Sequence, residues 1–410
     1  MKAVIMAGGF GTRLRPLTAH LPKPLLPVGN VPIMEHVVRL LRQHGFTDLT
    51  VLLYFLPDTI MSHFGDGSRW GVRIDYFTPP ADLGTAGAVR YAAGHLTEPF
   101  LVISGDILTD FDLKAVAAFH GERRSLATMV LTRVESPLQY GIVITDEEGR
   151  ITRFLEKPSW GEVFSDTINT GIYLLDPSVL EAIPPQRAYD FGKEFFPARL
   201  ASGEPLYGHV AEGYWRDIGD LVEYRLAQLD LLQGKIRAEI PGRKIEGSPG
   251  NLWLEESARV DFTARLVGAV IVGAGARVEP GARVADSVIG PNVIIREAAE
   301  VQGSVLWEGA EVGAGAVIKE AAVGRQAVVK ARAFVAEGVV VGDFSKIGES
   351  GVVKANVKVW PYKEVEDGAT LAVSLVWGER WSRSLFGRYG VTGLANIEIL
   401  PEFASKLGAA

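Results

Sequence analysis

The sequence contains no cysteine among its 410 residues. This absence excludes disulfide bonds, thiolate metal sites and a cysteine nucleophile, and it is consistent with a reducing compartment. No apolar run approaches the length of a membrane span, and residues 1–7 have the pattern of a strand and not of a signal peptide. The net charge of −7 argues against nucleic acid as a partner. We therefore expect a cytoplasmic protein that binds neither nucleic acid nor membrane.

Acidic residues are also absent from the first 34 positions, which contain four cations: Lys2, Arg13, Arg15 and Lys23. This segment begins with an apolar run, 3–7, that predicts a buried parallel strand. Glycines at positions 8, 9 and 11 then allow the backbone to turn sharply and to approach a bulky anion. Because the whole chain is acidic, this local positive charge indicates a site for a phosphate ester. The alternative is a glycine-rich turn whose arginines are merely solvated.

Strand and helix signals alternate from residue 1 to about residue 235. The alternation predicts an α/β domain with a Rossmann-like, mixed or mostly parallel sheet that helices cover on both faces. A helix over 221–232 is expected to lead out of this domain. In open α/β sheets, ligands bind at the carboxyl ends of the strands. The glycine loop and Asp106, which follows a strand at 99–104, are both expected at that edge.

A repeat follows, in which seven β-branched residues recur at a spacing of six from Val323 to Val359. This period fits neither a helix nor an alternating strand, and it predicts a left-handed parallel β-helix of hexapeptide repeats. We expect the α/β domain at 1–235, a linker at 236–249, the β-helix at 250–370 and a separate C-terminal segment at 371–410. All seven histidines precede the β-helix, so it lacks the base that an acyltransferase needs. We expect it to serve assembly, as part of a homo-oligomer.

The glycine loop extends into a longer pattern, G-G-x-G-T-R-L-x-P-L-T at 8–18 followed by P-K-P at 22–24. It lacks the Lys-Ser/Thr pair of a Walker loop and the third glycine of the dinucleotide fingerprint. The pattern resembles the signature of the sugar-phosphate nucleotidyltransferases, which join a nucleoside triphosphate to a sugar 1-phosphate and release pyrophosphate. With its hexapeptide tail, the chain resembles the mannose-1-phosphate guanylyltransferases most. The alternatives are a uridylyl-, adenylyl- or thymidylyltransferase acting on glucose 1-phosphate, and a non-catalytic regulatory subunit that binds sugar nucleotide.

The resemblance implies a nucleotide site at the first loop and at the start of a later helix. Its expected residues are Ala7, Gly8, Gly9, Gly11, Thr12, Arg13, Lys23, Gly84 and Thr85. Arg13 would hold two triphosphate oxygens with its planar guanidinium, whereas Lys23 would act as a point charge. Together with Lys157, these two cations are the predicted catalytic residues.

Two mutually repelling phosphates need a cation between them, and Mg²⁺ prefers a few carboxylate oxygens together with phosphate and water. Asp106 ends a strand beside a glycine. Asp217 lies in Trp215-Arg216-Asp217-Ile218-Gly219-Asp220, which resembles the family motif W-x-D-I-G-D and supplies the second metal ligand there. We therefore expect Asp106 and Asp217 to bind Mg²⁺. Helix capping is the alternative for each, and it is the expected role of Asp110, Asp112 and Asp220.

Three further motifs resemble the sugar-phosphate site of the family. Their expected binding residues are Glu156 and Lys157 of an E-K-P motif, Asn169 and Thr170 of an N-x-G-x-Y motif, and the loop residues Tyr140 and Gly141. The resemblance gives the glutamate a role as acceptor for sugar hydroxyls and the lysine a contact with the sugar phosphate. A surface ion pair between Glu156 and Lys157 is the alternative.

Residues 385–396 resemble the opening of phosphohexomutases, with Arg388 and Tyr389 in place of the usual Thr-Asp. The sequence given stops before the serine that such mutases phosphorylate, so mutase activity is not expected. The segment is expected to be part of a fused enzyme or a remnant of one. A C-terminal amphipathic helix that packs on the β-helix is the alternative.

Overall fold

The structure is a computed structural model that describes residues 1–245, 250–378, 380–381, 391 and 401–409. It forms two compact units. The first consists of Met1–Gly11, Leu21–Leu26 and Pro32–Gly219, and the second of Thr12–His20, Pro27–Val31 and Asp220–Ala410. The glycines of the pattern at 8–18 therefore belong to the first unit, whereas its arginines belong to the second. The domain boundaries at residues 235 and 250 stay predictions.

Eleven strands build two sheets in the first unit. They are β1 (Lys2–Ala7), β2 (Asp48–Leu53), β3 (Arg73–Phe77), β4 (Phe100–Ser104), β5 (Ile107–Thr109), β6 (Ala127–Arg133), β7 (Gly141–Thr145), β8 (Ile151–Glu156), β9 (Thr167–Leu175), β10 (Leu206–Val210) and β11 (Trp215–Asp217). The large sheet has the order β8-β7-β9-β4-β1-β2-β3, and β6 joins β9 to β10. Strands β1 to β4 in this sheet pair in parallel, whereas β9 runs antiparallel to β4. The predicted mixed sheet is confirmed.

Helices of the first unit are α1 (Ile33–Gln43), α2 (Pro57–Phe64), α3 (Gly84–Tyr91), α4 (Leu113–Arg123) and α5 (Phe196–Ala201). Asp112 caps α4, because its carboxylate accepts hydrogen bonds from the amides of Lys114 and Ala115. The prediction that Asp110 also caps a helix is wrong, since its carboxylate accepts a hydrogen bond from the Tyr214 amide, 104 residues away. Asp110 thus stabilises a long-range contact.

Strands β1 and β4 bring the predicted ligand-binding segments to one edge of the sheet. They pair in parallel with Met6 opposite Ser104, so their carboxyl ends coincide. Gly105 then donates its amide to the Met6 carbonyl at 2.8 Å. A Cβ atom at Gly105 would lie 3.2 Å from that carbonyl oxygen, so a larger residue would push the two segments apart. The first loop and Asp106 both follow this edge, as predicted.

The second unit is built around a parallel β-helix. Its longer strands are Leu252–Leu254, Arg265–Val272, Arg283–Ile289, Glu300–Gln302 and Val317–Lys319, and two-residue strands from Arg259–Val260 to Thr370–Leu371 complete it. Each coil pairs with the next in parallel, as Val288 does with Val305 and Val323 with Val341. The repeating residues point inward and are fully buried, from Val323 to Val359. The short strand Arg243–Lys244 lies within the predicted linker and pairs antiparallel with the first of these strands.

Helix α6 (Leu221–Leu232) belongs to this second unit, although its bounds are those predicted for a helix leaving the first domain. Asp220 caps it by accepting hydrogen bonds from the amides of Val222 and Glu223. The buried Tyr224 hydroxyl accepts a hydrogen bond from the Trp307 indole at 2.9 Å. The helix is thereby attached to the β-helix through side chains.

Helix α7 (Pro401–Ala409) is described near the C-terminus. Apart from residue 391, the mutase-like pattern at 385–396 lies outside the described residues. Among the residues that the structure describes, no helix has the length and apolar character needed to cross a bilayer.

Candidate active site

A cavity of about 240 Å³ lies at the carboxyl edge of the first unit's sheet. The predicted site residues that line it are Thr85, Asp106, Tyr140, Gly141, Glu156, Lys157, Asn169, Thr170 and Asp217. It is also lined by residues that were not predicted, among them Ser104, Gln139, Asp190, Gly192 and Trp215. Motifs that lie far apart in the sequence therefore meet around one space. Its dimensions suit a small molecule with several polar groups.

Asp106 and Asp217 face the same ammonium group at one end of this cavity. The Lys23 side chain pairs with the Asp106 carboxylate, and its Nζ lies 3.6 Å from Asp217 Oδ1. Strand β11 positions the second carboxylate, because Asp217 pairs with Ile107, the residue after Asp106. The two carboxylates thus converge on one ammonium group, and carboxylates arranged in this way can also bind a divalent cation.

The surroundings of Asp106 keep its carboxylate charged. Burial alone would raise the pKa of Asp106, but the Lys23 ammonium and the Ser104 hydroxyl together hold that pKa below its usual value. Ser104 Oγ donates to Asp106 Oδ1 at 2.5 Å. Two charged carboxylates suit a hard divalent cation whose other ligands are phosphate and water oxygens. No set of three His, Asp or Glu side chains placed to hold a metal occurs in the described part of the chain.

Glu156 also lines the cavity and is packed between two glycines. It pairs with Gly141 across strands β8 and β7. A Cβ atom at Gly141 would lie 2.6 Å from Glu156 Oε2, and one at Gly192 would lie 2.7 Å from it. Burial raises the pKa of Glu156, and Asp190 adds to this effect while Lys157 opposes it. The carboxylate therefore fits only because both neighbouring residues are glycines, since any side chain at Gly141 or Gly192 would collide with it.

The resemblance implies that Glu156 binds the sugar phosphate, so Glu156→Gln is expected to flatten the acid side of the pH profile of kcat/KM for that substrate. An ionised Glu156 accepts hydrogen bonds from hydroxyl groups, and its raised pKa means that it takes up a proton at a higher pH than an ordinary glutamate. The wild-type kcat/KM for the sugar phosphate should therefore have its full value above the raised pKa of Glu156, and it should decline as the pH falls through that pKa.

This prediction is checked by measuring kcat/KM between about pH 5 and pH 8 with saturating triphosphate. The sugar phosphate titrates identically with both proteins, so only the difference between the profiles reports Glu156. The variant should have a lower and flatter profile, while the KM for the triphosphate stays the same. Parallel profiles would contradict the role of this carboxylate.

Lys157 is exposed beside Glu156 and has a left-handed backbone φ of 47°. Its amide donates to the Tyr140 carbonyl at 3.1 Å, which ties the E-K-P motif to the loop before β7. Among the described residues, the Lys157 ammonium does not come within 4.0 Å of the Glu156 carboxylate, so the two side chains form no salt bridge. The ammonium group is thus available to an anion in the cavity.

Asn169 and Thr170 on β9 differ in how the fold uses them. The Asn169 side chain donates to the Tyr173 hydroxyl at 3.0 Å and accepts from the Gly171 amide at 3.0 Å, so its orientation is determined. The buried Thr170 hydroxyl donates to the Val130 carbonyl at 2.7 Å. Its backbone carbonyl accepts from the Trp215 indole at 3.1 Å. Asn169 is therefore a positioned polar group, whereas the Thr170 hydroxyl stabilises the sheet.

Gly84 and Thr85 begin helix α3 beside the segment before Phe191. Gly84 has a φ of 66°, and a Cβ atom there would lie 2.8 Å from the Tyr189 carbonyl oxygen. Thr85 Oγ1 donates to Asp190 Oδ2 at 2.9 Å and accepts from the Phe191 amide. Asp190 also accepts from the Gly192 amide and so caps the following helical turn. In the sequence it has the pattern of an ordinary cap, which is why its place in the cavity was not predicted.

The first loop is divided between the two units. Ala7 ends β1 and is buried, whereas Gly9 is exposed and has no atom within 4 Å of a Cβ built on it. Gly8 follows β1 directly, and Gly11 has a φ of 60°. Thr12 and Arg13 are exposed in the second unit, where Arg13 lines a separate cavity of about 390 Å³. The roles of these residues in nucleotide binding stay predictions.

Comparison with known proteins agrees with this architecture. Residues 2–234 match the nucleotidyl transferase family, and residues 249–353 match the left-handed β-helix (LbH) domain of the EIF2B subunit epsilon. The uridylyltransferase that acts on UTP and glucose 1-phosphate in Synechocystis sp. is 37% identical over 324 residues, covering 75% of this chain and 83% of the relative. The mannose-1-phosphate guanylyltransferase of Mycobacterium tuberculosis is 35% identical over 302 residues, covering 73% and 82%.

A solved structure supports the same conclusion. A Bacillus anthracis protein assigned as a glucose-1-phosphate thymidylyltransferase has a TM-score of 0.51 and 29% identity, covering 56% of this chain and 94% of its own. The predicted fold class, a mostly parallel mixed sheet followed by a left-handed β-helix, is confirmed. The chain therefore belongs to the nucleotidyl transferase family, and its activity is nucleotidyl transfer to a sugar 1-phosphate.

Proposed function

We propose that the protein joins GTP to mannose 1-phosphate, producing GDP-mannose and pyrophosphate. The observation that carries this proposal is the convergence of Asp106 and Asp217 on the Lys23 ammonium, at a cavity that Glu156 and Lys157 also line. The choice of substrates is supported by mannose-1-phosphate guanylyltransferases from bacteria, plants and yeast that are 32–37% identical to this chain.

The phosphate oxygen of the sugar 1-phosphate attacks the α-phosphorus of the triphosphate, and pyrophosphate leaves in line. The nucleophile is already an anion, so no strong general base is needed, and catalysis consists of alignment and charge neutralisation. Asp106 and Asp217 would hold Mg²⁺, which lowers the repulsion between the two phosphates when it is bound. Oxygen ligands of this kind fit Mg²⁺, and enzymes of this family use a divalent metal.

The protein's own groups do the positioning. Lys23 and Arg13 bind the triphosphate, with residues 7–12 and 84–85 against the nucleoside end. Glu156 accepts hydrogen bonds from the sugar hydroxyls, the Asn169 side chain also faces the sugar, and Tyr140, Gly141 and Thr170 line their surroundings. Lys157 binds the sugar phosphate. Each of these contacts places a reacting oxygen in line with the bond that breaks.

A second candidate is a uridylyltransferase acting on glucose 1-phosphate. It is favoured by the Synechocystis relative, which is as similar to this chain as any of the guanylyltransferases named above. A non-catalytic regulatory subunit is disfavoured, because this chain retains Arg13, Lys23, Asp106, Lys157 and Asp217. Only the choice of base and sugar separates the first two functions.

A matrix of four nucleoside triphosphates against mannose, glucose and N-acetylglucosamine 1-phosphates tests the choice. We expect the kcat/KM for pyrophosphate release to be highest with GTP and mannose 1-phosphate. A variant lacking both metal-site carboxylates provides the background rate for each pair. If UTP and glucose 1-phosphate react faster, the guanylyltransferase proposal is overturned while the family activity stands.

We also propose that the protein is a cytoplasmic homo-oligomer that assembles through the β-helix. The support is the row of short parallel strands, whose outward side chains form regular, repeated surfaces. Neither nucleic acid nor membrane is a proposed partner.

A further inference from the structure

Lys23 is largely buried and already paired with a carboxylate, unlike a solvent-exposed lysine that could bind a phosphate directly. It begins a short 3-10 helix, Lys23–Leu25, and its side chain is only 9% exposed. Its ammonium pairs with the Asp106 carboxylate and lies within 4.0 Å of the Asp217 carboxylate. The lysine therefore bridges the same two oxygens that would bind the divalent cation.

We propose that Lys23 is the internal counter-ion of the two-carboxylate site and that it competes with the divalent cation for it. The proposal rests on the metal site of the proposed function. In the nucleotide-free protein, Lys23 keeps the affinity of Asp106 and Asp217 for a divalent cation low. The triphosphate then attracts the ammonium to its own oxygens, so the metal and the nucleotide enter together.

Charge explains why the two cations exclude each other. Two carboxylates and one ammonium leave a single negative charge, which the protein can keep in a half-buried place. A divalent cation bound beside the ammonium would put three positive charges against two negative ones at contact distance. A triphosphate removes this conflict, because its negative charges pair with the ammonium and with the metal.

A lysine that lines the cavity, Lys157, provides a comparison. Lys157 is exposed and pairs with neither Asp106 nor Asp217. Removing its charge changes the net charge of the cavity by the same amount as removing that of Lys23. A specific effect of Lys23 on metal binding can therefore be separated from a general effect of charge.

The test measures Mn²⁺ binding to the nucleotide-free protein from the free Mn²⁺ signal in electron paramagnetic resonance. Lys23→Met should lower the Kd for Mn²⁺ by about tenfold or more, whereas Lys157→Met should change it by less than about threefold. Lys23→Gln provides a second variant of the same position. Circular dichroism is used to check that each variant is folded. With the α,β-methylene analogue of GTP present, the difference between wild type and Lys23→Met should largely disappear.

Failure of this proposal can be told apart from failure of the metal site. If Asp106→Asn and Asp217→Asn weaken Mn²⁺ binding but both Lys23 variants bind it no more tightly than wild type, the role of Lys23 is overturned. An equal gain in Mn²⁺ affinity in Lys157→Met overturns it too, because removing any positive charge near the cavity would then have the same effect. If neither aspartate variant changes Mn²⁺ binding, the metal site of the proposed function is wrong.

Discussion

Asp106→Asn and Asp217→Asn are each expected to lower kcat by about 100-fold or more while the protein stays folded. Each substitution keeps the size of the side chain but removes one of the two negative charges that face the cation position. The site then binds the divalent cation less well, and the repulsion between the two reacting phosphates is no longer offset as they approach. The measurement is steady-state pyrophosphate release at saturating Mg²⁺ and substrates.

Asp112→Asn is the matched control for this pair. Asp112 caps α4 with a carboxylate that is 67% exposed, and asparagine caps helices about as well as aspartate. The kcat of this variant should equal that of wild type. A wild-type kcat in either Asp106→Asn or Asp217→Asn would remove that residue from the metal site.

Val353→Asp should cost about 4 kcal/mol or more in the free energy of unfolding of the second unit. Val353 is fully buried within the β-helix, where an ionised carboxylate has no partner. Because each coil stacks on its neighbours, the damage should spread beyond one coil. Urea unfolding, followed by circular dichroism, measures the loss.

The adjacent residue supplies the comparison. Val352 lies in the same two-residue strand but points outward and is only half-buried. Val352→Asp should therefore cost no more than about 1 kcal/mol. Equal losses in the two variants would contradict a core formed by alternate residues of these strands.

Local repetition explains which parts of the fold could be predicted. The period of six is visible in the sequence because the same packing problem recurs in every coil, and the inward residues of the structure are the ones that the period selects. Helix α6 was likewise predicted with the observed bounds, since a capping aspartate marks where it begins. Short-range signals were sufficient for these elements.

The specific long-range pairings of side chains in the site were not visible in the sequence, although their common edge of the sheet was. Lys23 and Asp106 are 83 residues apart, and their contact depends on how the whole sheet folds. The same holds for Asp190, whose contact with Thr85 spans 105 residues. Helix α6 was predicted correctly as a helix, but its hydrophobic pattern does not say which of two cores it will cover.

The regular pairing of coils has a consequence for how such a chain can change in length. Residues 324–341 form one turn of the coil, because the backbone of Val323 lies beside that of Val341. Duplicating or deleting a whole turn would leave every remaining side chain stacked on an equivalent neighbour. Evolution can therefore lengthen or shorten this half of the protein in whole turns, while the catalytic half keeps its own sequence.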